Sequence, residues 1–586
     1  MKEMYTDNLD RIQVEIKKSK RKVTLFSWIR LLVFLLIALA VYCLFTYEPK
    51  VVFILFLLGL VTAFLYTIWH HQELKYHHLT LNKLIEINEN EISIFNGKPS
   101  FLHDGNEFHQ SDSYSMDLDI FGNRSLFHII NRCFSTEGLK ALAESLLITG
   151  KNKNDIAERQ ESISECMGFM DLGQEILAHG LNSADYDKGN SFSHKTVLSD
   201  SIRKKMTIIR WLPPLLAIVF LILYFVSGNS SFLLYGFLLN LGISGIFLKH
   251  TNKVIILTTN ELKRLEKLHR SIAAITSHQY RSHEMIDISD QLQTGLRELK
   301  KLKRKIDLLE SRNNLIIGML FNGVFGFDLH AVLNLDRWYI KNGNDISKWE
   351  KALASAEVIF SYATFARNNP QYKFPVFEGN GTISGKNIRH PFISEGENIG
   401  NDFYMHPDFK VMLVTGSNMS GKSTFLRSVG INQILASAGS VVAADTFNTD
   451  FFNIYTSFRK SDSIQESTSL FYDELKRLKM IFNNLDQSRI PALVLLDEIL
   501  RGTNSDDKYY GSYQILLKLK ERNALTVLAT HDLNLSKLEN EYGPIIQNFS
   551  FESIIRDGDL IFDYKIKKGV AKNKNATFLM EKMGII

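Results

Sequence analysis

The sequence feature that most constrains the fold is an apolar run that ends directly in a glycine-rich loop. Residues 411–415 (VMLVT) have the continuous apolar character of a buried parallel strand, and residues 416–423 (GSNMSGKS) follow without a gap. The spacing G-x-x-x-x-G-K-S is typical of a loop that turns its backbone N–H groups around a phosphate at the start of a helix. The sequence therefore predicts a strand, a phosphate-binding loop and a helix in this order.

This loop predicts a site for ATP and Mg²⁺. The ammonium group of Lys422 is placed to contact the β and γ phosphate oxygens, and we count Lys422 among the catalytic residues. The hydroxyl of Ser423 is placed to be a ligand of Mg²⁺. The predicted nucleotide-binding residues of the loop are Gly416, Ser417, Asn418, Met419, Ser420, Gly421, Lys422, Ser423 and Thr424.

Two further strand ends complete the predicted site. An apolar run at 492–496 ends in Asp497 and Glu498, and a third run at 524–529 is followed closely by His531. Two adjacent carboxylates at the end of a buried strand are costly unless a cation is present. We therefore expect Asp497 to hold Mg²⁺, Glu498 to act as the catalytic base that activates water, and His531 to sense the γ-phosphate.

Four long apolar runs predict helices that cross a membrane. Each approaches the roughly 20 residues that a helix needs to span the hydrocarbon core, and the runs form two pairs with short turns. The runs are 31–47, 51–69, 208–226 and 232–248. Buried core helices are the alternative interpretation. We interpret a further apolar stretch, 314–333, as soluble core, because a fifth span would place the nucleotide site on the opposite side of the membrane.

Basic residues set the predicted topology. They lie before or at the start of each pair of runs, at 17–22 and 30 for the first and at 203–205 and 210 for the second. The positive-inside bias then places both termini and the segment between the pairs in the cytoplasm. We expect a multi-pass protein of the inner (cytoplasmic) membrane with its nucleotide-binding domain in the cytoplasm.

Composition excludes some classes of protein. The chain of 586 residues is long enough for two or three domains, and 68 Lys+Arg against 63 Asp+Glu leave a net charge of only +5. Net charge therefore does not by itself indicate a DNA partner. The three cysteines, Cys43, Cys133 and Cys166, lie far apart, which supports neither a disulfide framework nor a thiolate zinc site.

The nucleotide-site motifs resemble those of the MutS DNA mismatch-repair ATPases. Residues 415–424 (TGSNMSGKST) resemble the family's TGPNMGGKST, residues 496–506 (LDEILRGTNSD) resemble its MDEIGRGTSTYD, and residues 529–531 match its ATH. Residues 469–474 (SLFYDE) are similar to the STFMVE segment that one subunit presents to its partner's nucleotide. The resemblance implies a composite ATP site in a homodimer joined through the ATPase domains, with Ser469 contributing to nucleotide binding.

The resemblance extends, more weakly, through much of the chain. Residues 372–375 (YKFP) and 389–391 (RHP) match just before the ATPase region, while 118–122, 136–138 and 156–160 resemble the helical core of MutS. The implied fold class is an α/β P-loop NTPase domain of the ABC or MutS type with an all-α core and two transmembrane helical hairpins. The predicted parts are 1–75 with the first hairpin, 76–200 with the first half of the core, 201–250 with the second hairpin, 251–370 with the rest of the core, and 371–586 with the ATPase domain.

The sequence departs from the MutS pattern in three places. No G-x-F-Y-E wedge precedes the core, so we expect no direct reading of mismatches. The second hairpin stands where the family's long lever helices and DNA clamp would be inserted, and no nuclease domain is expected after Ile586. Residues 398–402 (NIGND) stand where the family often has an aromatic residue that stacks on adenine, which leaves the base contact open.

Two other features have competing interpretations. Basic residues among the leucines of 296–309 fit contact with phosphates or an anionic membrane surface, or a solvated helix face. His70, His71, His77 and His78 fit a zinc site poorly, because no Cys or acidic residue completes the ligand set, and interfacial histidines are a sufficient account.

Three functional hypotheses follow from these observations. The first is a membrane-anchored, MutS-like ATPase that is associated with DNA in mismatch repair or damage sensing. The second is a membrane-associated ATPase scaffold that does not bind DNA. The third is an ABC-transporter-type ATPase, which the lack of an LSGGQ signature disfavours.

Overall fold

The computed structural model describes residues 2–47, 50–110, 114–147, 152–182, 198–310, 315–458, 470–501, 503–556, 559–571 and 585. The chain is helical up to residue 368, and two β-sheets follow. The helices of the first part are α1 Lys2–Thr46, α2 Lys50–Phe95, α3 Tyr114–Asp117, α4 Leu126–Ile130, α5 Thr136–Leu147, α6 Lys153–Cys166, α7 Met170–Leu181, α8 Asp200–Ile209, α9 Leu212–Ser227, α10 Ser231–Ile246, α11 Leu248–Thr276, α12 His283–Glu310, α13 Leu315–Phe325 and α14 Phe327–Asn368.

Strands and helices alternate in the second part, as expected for a parallel sheet with crossover helices. The elements are β1 Val376–Phe377, β2 Ile383–Ile388, β3 Asn401–Met405, β4 Val411–Gly416, α15 Lys422–Ser437, β5 Thr446–Thr449, β6 Asn453–Ser457, α16 Leu470–Gln487, β7 Ala492–Asp497, α17 Ser505–Lys520, β8 Ala524–Thr530, α18 Leu538–Tyr542, β9 Ile546–Arg556 and β10 Asp559–Lys568.

Apolar helices are found at all four predicted runs. By length and composition, three helical segments of the described chain could cross a membrane: Lys2–Leu44, Val52–Phe95 and Asp200–Ser227. A fourth candidate exists if Ser231–Ile246 and Leu248–Val254, which meet at 61°, count as one span. α1 packs along α2, and α9 packs along α10, so the apolar helices form two pairs. The turn residues 48–49 of the first pair lie outside the described residues.

The stretch 314–333 differs from its interpretation as soluble core. α13 packs against α9 and α10 of the second apolar pair, and it exposes Met319, Leu320, Phe321 and Phe325. The rest of the stretch, which forms the start of α14, is buried and includes Leu329 and Leu333. It packs within the helical body, by which we mean α3–α8 and α11–α14. α13 is therefore only partly buried, whereas the start of α14 is core, as the sequence predicts.

α14 is the central element of the helical body. It packs against α5, α6, α11 and α12, and nearly every side chain between residues 352 and 366 is buried. α12 and α14 pack along each other, and the segment that contains α13 joins them at one end. The other end of α14 leads into the sheets. The helical body therefore connects the apolar helices to the two sheets.

The larger sheet has the strand order β10-β9-β4-β8-β7-β6. All neighbouring pairs are parallel except β9 and β10, and β4, β7 and β8 are buried along their whole length. Strands covered on both faces need the continuous apolar sequences that these three have. Because β8 lies between β4 and β7, the C-terminal ends of all three strands meet at one edge of the sheet. The smaller sheet has the order β1-β5-β2-β3.

Asp117 of α3 connects the helical body to this sheet. Its Oδ2 accepts hydrogen bonds from Thr456 Oγ1 at 2.7 Å and from the Phe458 backbone N–H at 3.2 Å. Arg477 of α16 donates to the same oxygen at 2.7 Å. The Asp117 and Arg477 side chains are 5% and 8% exposed. A buried ion pair of this kind is costly to break, so it fixes α3 against β6 and α16.

The basic helix and the histidines have ordinary contacts. Leu299, Leu302 and Ile306 of α12 are buried, while Lys301 pairs with Glu298 on the same helix. His70 stacks on Tyr66 with ring centroids 5.8 Å apart. No group of three or more His, Cys, Asp or Glu side chains that could hold a metal ion is present among the described residues.

Candidate functional site

The glycine-rich loop connects β4 to α15. Gly421 has φ +103°, a conformation that side chains disfavour, and it directly precedes Lys422, the first residue of α15. A Cβ on Gly416 would lie 2.7 Å from the carbonyl oxygen of Phe551 on β9. The two glycines therefore permit both the turn of the loop and its close approach to the sheet. Phosphate binding at a helix N-terminus requires such a turn.

The Lys422 side chain packs against the backbone of the glycine-rich loop. Its side chain is only 6% exposed, and its Nζ donates to the carbonyl oxygens of Gly416 at 2.9 Å and Ser417 at 2.8 Å. His531 Nε2 lies 3.4 Å from the same Nζ. The ammonium group is thus held over the loop, at the edge where β4 and β8 end.

Ser423 and Asp497 are in direct contact. The Ser423 hydroxyl donates to Asp497 Oδ2 at 2.7 Å, and the Asp497 residue is 7% exposed. Hydroxyl and carboxylate oxygens are the ligands that Mg²⁺ prefers, and this ion usually keeps several waters and phosphate oxygens as further ligands. The pair therefore fits a magnesium ion that is held between the protein and a triphosphate.

Two nitrogen-containing side chains contact the Glu498 carboxylate. Its Oε1 lies 2.5 Å from His531 Nε2, and its Oε2 lies 2.6 Å from Arg501 Nη2. Burial alone would raise the pKa of Glu498, but the hydrogen bond with His531 and the charges of His531 and Arg501 outweigh it and lower the pKa to about 2. Glu498 is therefore an ionised carboxylate at neutral pH. It lines the same cleft as the glycine-rich loop.

The turn after β7 has a strained backbone. Glu498 has φ +52° and Leu500 has φ +59°, both in the left-handed region, where the family pattern has Gly at the second position. Glu474 of α16 accepts a hydrogen bond from the Leu500 N–H at 2.6 Å. Arg501 Nε donates to the Glu498 carbonyl oxygen at 3.0 Å. Strain of this kind persists only where surrounding contacts determine it, and it is concentrated at functional sites.

A cleft with a volume of about 870 Å³ opens beside these groups. Its lining includes Asn398, Ile399 and Tyr564 in addition to the loop. The Asn398 side chain is engaged elsewhere, because its Nδ2 donates to the carbonyl oxygens of His390 at 2.7 Å and Ile393 at 3.2 Å. Of the lining residues in this region, Ile399 and Tyr564 offer the apolar surface that a nucleotide base requires.

The structure brings together nearly all the residues predicted from the sequence. Those that line the cleft are Asn418, Met419, Ser420, Gly421, Lys422, Ser423, Thr424, Asp497, Glu498 and His531, and Gly416 and Ser417 contact Lys422 at its edge. Met419 is 85% exposed. Ser469 lies outside the described residues.

Sequence reasoning missed three contributors to the site. Arg501 and Glu474 lie within motifs that we had compared with the family, but only their contacts with Glu498 and Leu500 show what they do. Tyr564 comes from β10, far along the chain, and a Cβ on Gly421 would lie 3.1 Å from its ring. No local signal indicates a residue of this last kind, because it reaches the site only through the pairing of β10 with β9.

Comparison with known proteins identifies one family. The profile described as MutS domain V matches residues 412–583, which include the loop, Asp497, Glu498 and His531. "MutS protein homolog 4" of Homo sapiens is 26% identical over 341 residues, which are 56% of this chain and 33% of that protein. "DNA mismatch repair protein MutS" of Thermotoga petrophila is 30% identical over 279 residues, which are 47% of this chain and 33% of that protein.

A third relative shows the same pattern. "DNA mismatch repair protein MutS" of Clostridioides difficile is 32% identical over 234 residues, which are 39% of this chain and 24% of that protein. The chain spans about a third or less of the length of these curated relatives.

Proposed function

This chain belongs to the MutS family through its domain V, and on that premise we propose that it is a membrane-anchored ATPase that binds and hydrolyses ATP with Mg²⁺. The observation that carries this proposal is the convergence of three strand ends on one cleft. In this cleft Lys422 Nζ donates to the Gly416 carbonyl oxygen and Ser423 donates to Asp497. Glu498 contacts His531 beside them.

The residues divide into binding and catalytic groups. The loop and the N-terminus of α15 bind the phosphates, and Lys422 contacts the β and γ oxygens. Ser423 and Asp497 hold Mg²⁺, which when bound neutralises charge on the phosphate oxygens. Glu498 orients the attacking water and accepts its proton, while His531 contacts the terminal phosphate.

The contacts of Glu498 impose a condition on this mechanism. A carboxylate whose pKa is held at about 2 is a weak base, because a strong acid has a weak conjugate base. The contacts of His531 and Arg501 with the Glu498 carboxylate must therefore lengthen or break before Glu498 can accept a proton. His531 is placed to contact the γ-phosphate instead, since it also lies 3.4 Å from Lys422 Nζ, and Arg501 lines the same cleft. In this proposal, ATP binding makes Glu498 a stronger base, because the γ-phosphate replaces Glu498 as the partner of these side chains.

We also propose a composite site in a homodimer. α16 begins at Leu470, within the segment 469–474 that resembles the one presented to a partner's nucleotide, and Glu474 of the same segment bonds the turn after β7. A movement of α16 on dimer formation would therefore reach the Leu500 N–H and with it the catalytic turn. In this proposal, Ser469 contacts the nucleotide of the partner subunit.

The apolar helices support the membrane part of the proposal. At least three described helical segments are long and apolar enough to span, and most of their apolar side chains are exposed. We place the protein in the inner (cytoplasmic) membrane with its ATPase domain in the cytoplasm, in accord with the positive-inside bias.

Two variants of the full-length protein in lipid nanodiscs test the ATPase assignment. Lys422→Ala should lose nucleotide binding, because the triphosphate loses its main cationic contact. Glu498→Gln should bind ATP normally and hydrolyse it about 10²–10⁴-fold more slowly, because it lacks the base. Binding by a fluorescent ATP analogue and phosphate release are the two measurements. Normal turnover by the Gln variant would mean that Glu498 is not the base.

DNA association is the less direct part of the proposal, and it is supported by the names of the MutS relatives. The second candidate is an ATPase scaffold that does not bind DNA, which is favoured because the second apolar pair stands where the family's DNA clamp would be inserted. The protein in nanodiscs should be titrated with homoduplex, mismatched and branched DNA over a salt series. Affinity that falls steeply with salt supports phosphate contacts, and no binding at low salt supports the scaffold.

A further inference from the structure

We propose that α13 is a helix inserted to half depth in the membrane, and that it attaches the joined ends of α12 and α14 to the second apolar pair. The partner of its exposed side is lipid acyl chain. The inference rests on the proposed membrane location of α9 and α10. It goes further by placing a part of the helical body itself, rather than only its anchors, within the bilayer.

The composition and exposure of α13 are those of a lipid-facing helix. It has 11 residues, LIIGMLFNGVF, and none of them is charged. Met319, Leu320, Phe321 and Phe325 are between 42% and 56% exposed. A contiguous set of large apolar side chains is unusual on a surface that faces water. α9 and α10 expose side chains such as Leu215 in the same manner, so α13 extends an apolar surface that already exists.

Close packing fixes α13 to the second apolar pair. A Cβ on Gly323 would lie 2.2 Å from the Phe237 ring of α10, so any larger residue would force the helices apart. Gly326, which follows α13 with φ +60°, has a similar relation to Pro213 of α9, at 2.7 Å. Small residues at helix interfaces permit this approach in membranes, where helices associate by close packing.

Two asparagine side chains of this region bond backbone groups near the helix ends. Asn240 of α10 is fully buried, and its Nδ2 donates to the carbonyl oxygens of Pro213 at 3.0 Å and Val324 at 3.3 Å. Asn322 donates to the Gly318 carbonyl oxygen at 2.9 Å and accepts from the Asp328 N–H at 2.9 Å. In lipid no water is present to satisfy backbone groups, so side chains that bond them at helix ends make this location possible.

The length of α13 determines its depth. A helix of 11 residues is about 16 Å long, and a hydrocarbon core is about 30 Å thick. α13 therefore enters and leaves on the same side, and α12 and α14 both remain in the cytoplasm. The Nε2–H of His330 on α14 donates a hydrogen bond at 2.8 Å to the Arg210 carbonyl oxygen, which lies at the break between α8 and α9. The start of α14 is thus level with the start of α9.

This arrangement has a mechanical consequence. α14 is a single helix of 42 residues that connects the membrane-inserted end to the sheets of the ATPase domain. A movement of the ATPase domain would reach the bilayer through α14 and α13 together, and lateral force in the bilayer would reach the ATPase domain by the same route.

Single cysteines in the full-length protein in proteoliposomes test the inference. Leu320→Cys and Phe325→Cys report on α13, Ile222→Cys reports on α9, and Lys348→Cys is the water-exposed control, because its side chain is 71% exposed. The α13 and α9 side chains are exposed, so cysteine leaves the packing intact. The parent chain gives the background from its three native cysteines. The reaction rate with a membrane-impermeant maleimide is measured, together with quenching of an attached fluorophore by spin-labelled lipid.

The α13 cysteines should react at least about tenfold more slowly than Lys348→Cys and should be quenched by the lipid label. Reaction as fast as the control, with Ile222→Cys still protected, overturns the inference while the membrane anchoring stands. Reaction of Ile222→Cys as well overturns both proposals. ATP binding, measured on each variant, shows that the ATPase assignment is independent of either result.

Discussion

Glu498 Oε1 lies 2.5 Å from His531 Nε2, so the residues that follow two neighbouring strands, β7 and β8, form one pair. These residues are separated by 32 others in the sequence, and the parallel pairing of β7 with β8 brings them together. In this arrangement the proposed base is held by the residue that is proposed to contact the terminal phosphate. The pH dependence of ATP hydrolysis should depend on this pair.

The acid limb of the activity profile should depend on the partners of Glu498. The hydrogen bond of His531 and the charges of His531 and Arg501 lower the pKa of Glu498 to about 2, so at pH 4–6 the wild-type carboxylate stays ionised. In His531→Gln, and to a smaller extent in Arg501→Ala, the pKa should rise, and the acid limb of kcat/KM should move to higher pH. ATP hydrolysis is measured between pH 4.5 and 8. Arg522→Ala, which breaks a surface pair with Asp486, is the control and should leave the profile unchanged.

The Asp117–Arg477 pair should contribute strongly to stability. Asp117→Ala leaves a buried guanidinium without its carboxylate partner and should cost about 3–5 kcal/mol in the free energy of unfolding. Asp119→Ala is the matched control, because Asp119 pairs with Arg427 at the surface and is 54% exposed. The control should cost less than about 1 kcal/mol. Equal effects of the two substitutions in denaturant unfolding would contradict the assignment.

Acid should destabilise the protein through His390. Burial, and secondarily the charge of Arg427, lower its pKa from 6.5 to about 4, so the unfolded chain binds a proton more readily than the folded one. The stabilisation is complete above pH 6.5 and is lost as pH falls toward 4, by up to about 3 kcal/mol. Melting temperatures of wild type and His390→Gln should therefore diverge less at pH 5 than at pH 7.5. A constant difference between the two proteins at all pH values would rule out this role.

Two helical glycines should respond in opposite ways to the same substitution. A Cβ on Gly180 of α7 would lie 2.0 Å from the Phe134 ring, so Gly180→Ala should lower the free energy of unfolding by about 1–3 kcal/mol. Gly343 of α14 has no atom within 4 Å of such a Cβ, so Gly343→Ala should raise it by about 0.5–1 kcal/mol. Thermal unfolding of the two variants beside the wild type measures both effects.

The sequence by itself was sufficient to predict the local parts of the proposed nucleotide site. The order of an apolar strand, a glycine-rich loop and a helix follows from residues 411–425, and Asp497, Glu498 and His531 could be named because each closely follows a buried strand. The order of residues along the chain was sufficient here because neighbouring parallel strands end at one edge of the sheet. Residues at the ends of these strands therefore lie close together. The resemblance to MutS rested on the same motifs, and the match of domain V to residues 412–583 agrees with it.

The tertiary structure decided what each residue contacts. The sequence does not encode the geometry by which Arg501 contacts Glu498. Tyr564 of β10 lines the cleft, and Arg477 bonds Asp117, although the residues that meet in each case are remote in sequence. The packing of α13 against α9 and α10 is the clearest example, because its composition does not indicate which helices it contacts. Burial depends on which neighbours the rest of the fold supplies, and in this chain those neighbours are Pro213 and Phe237, about a hundred residues away.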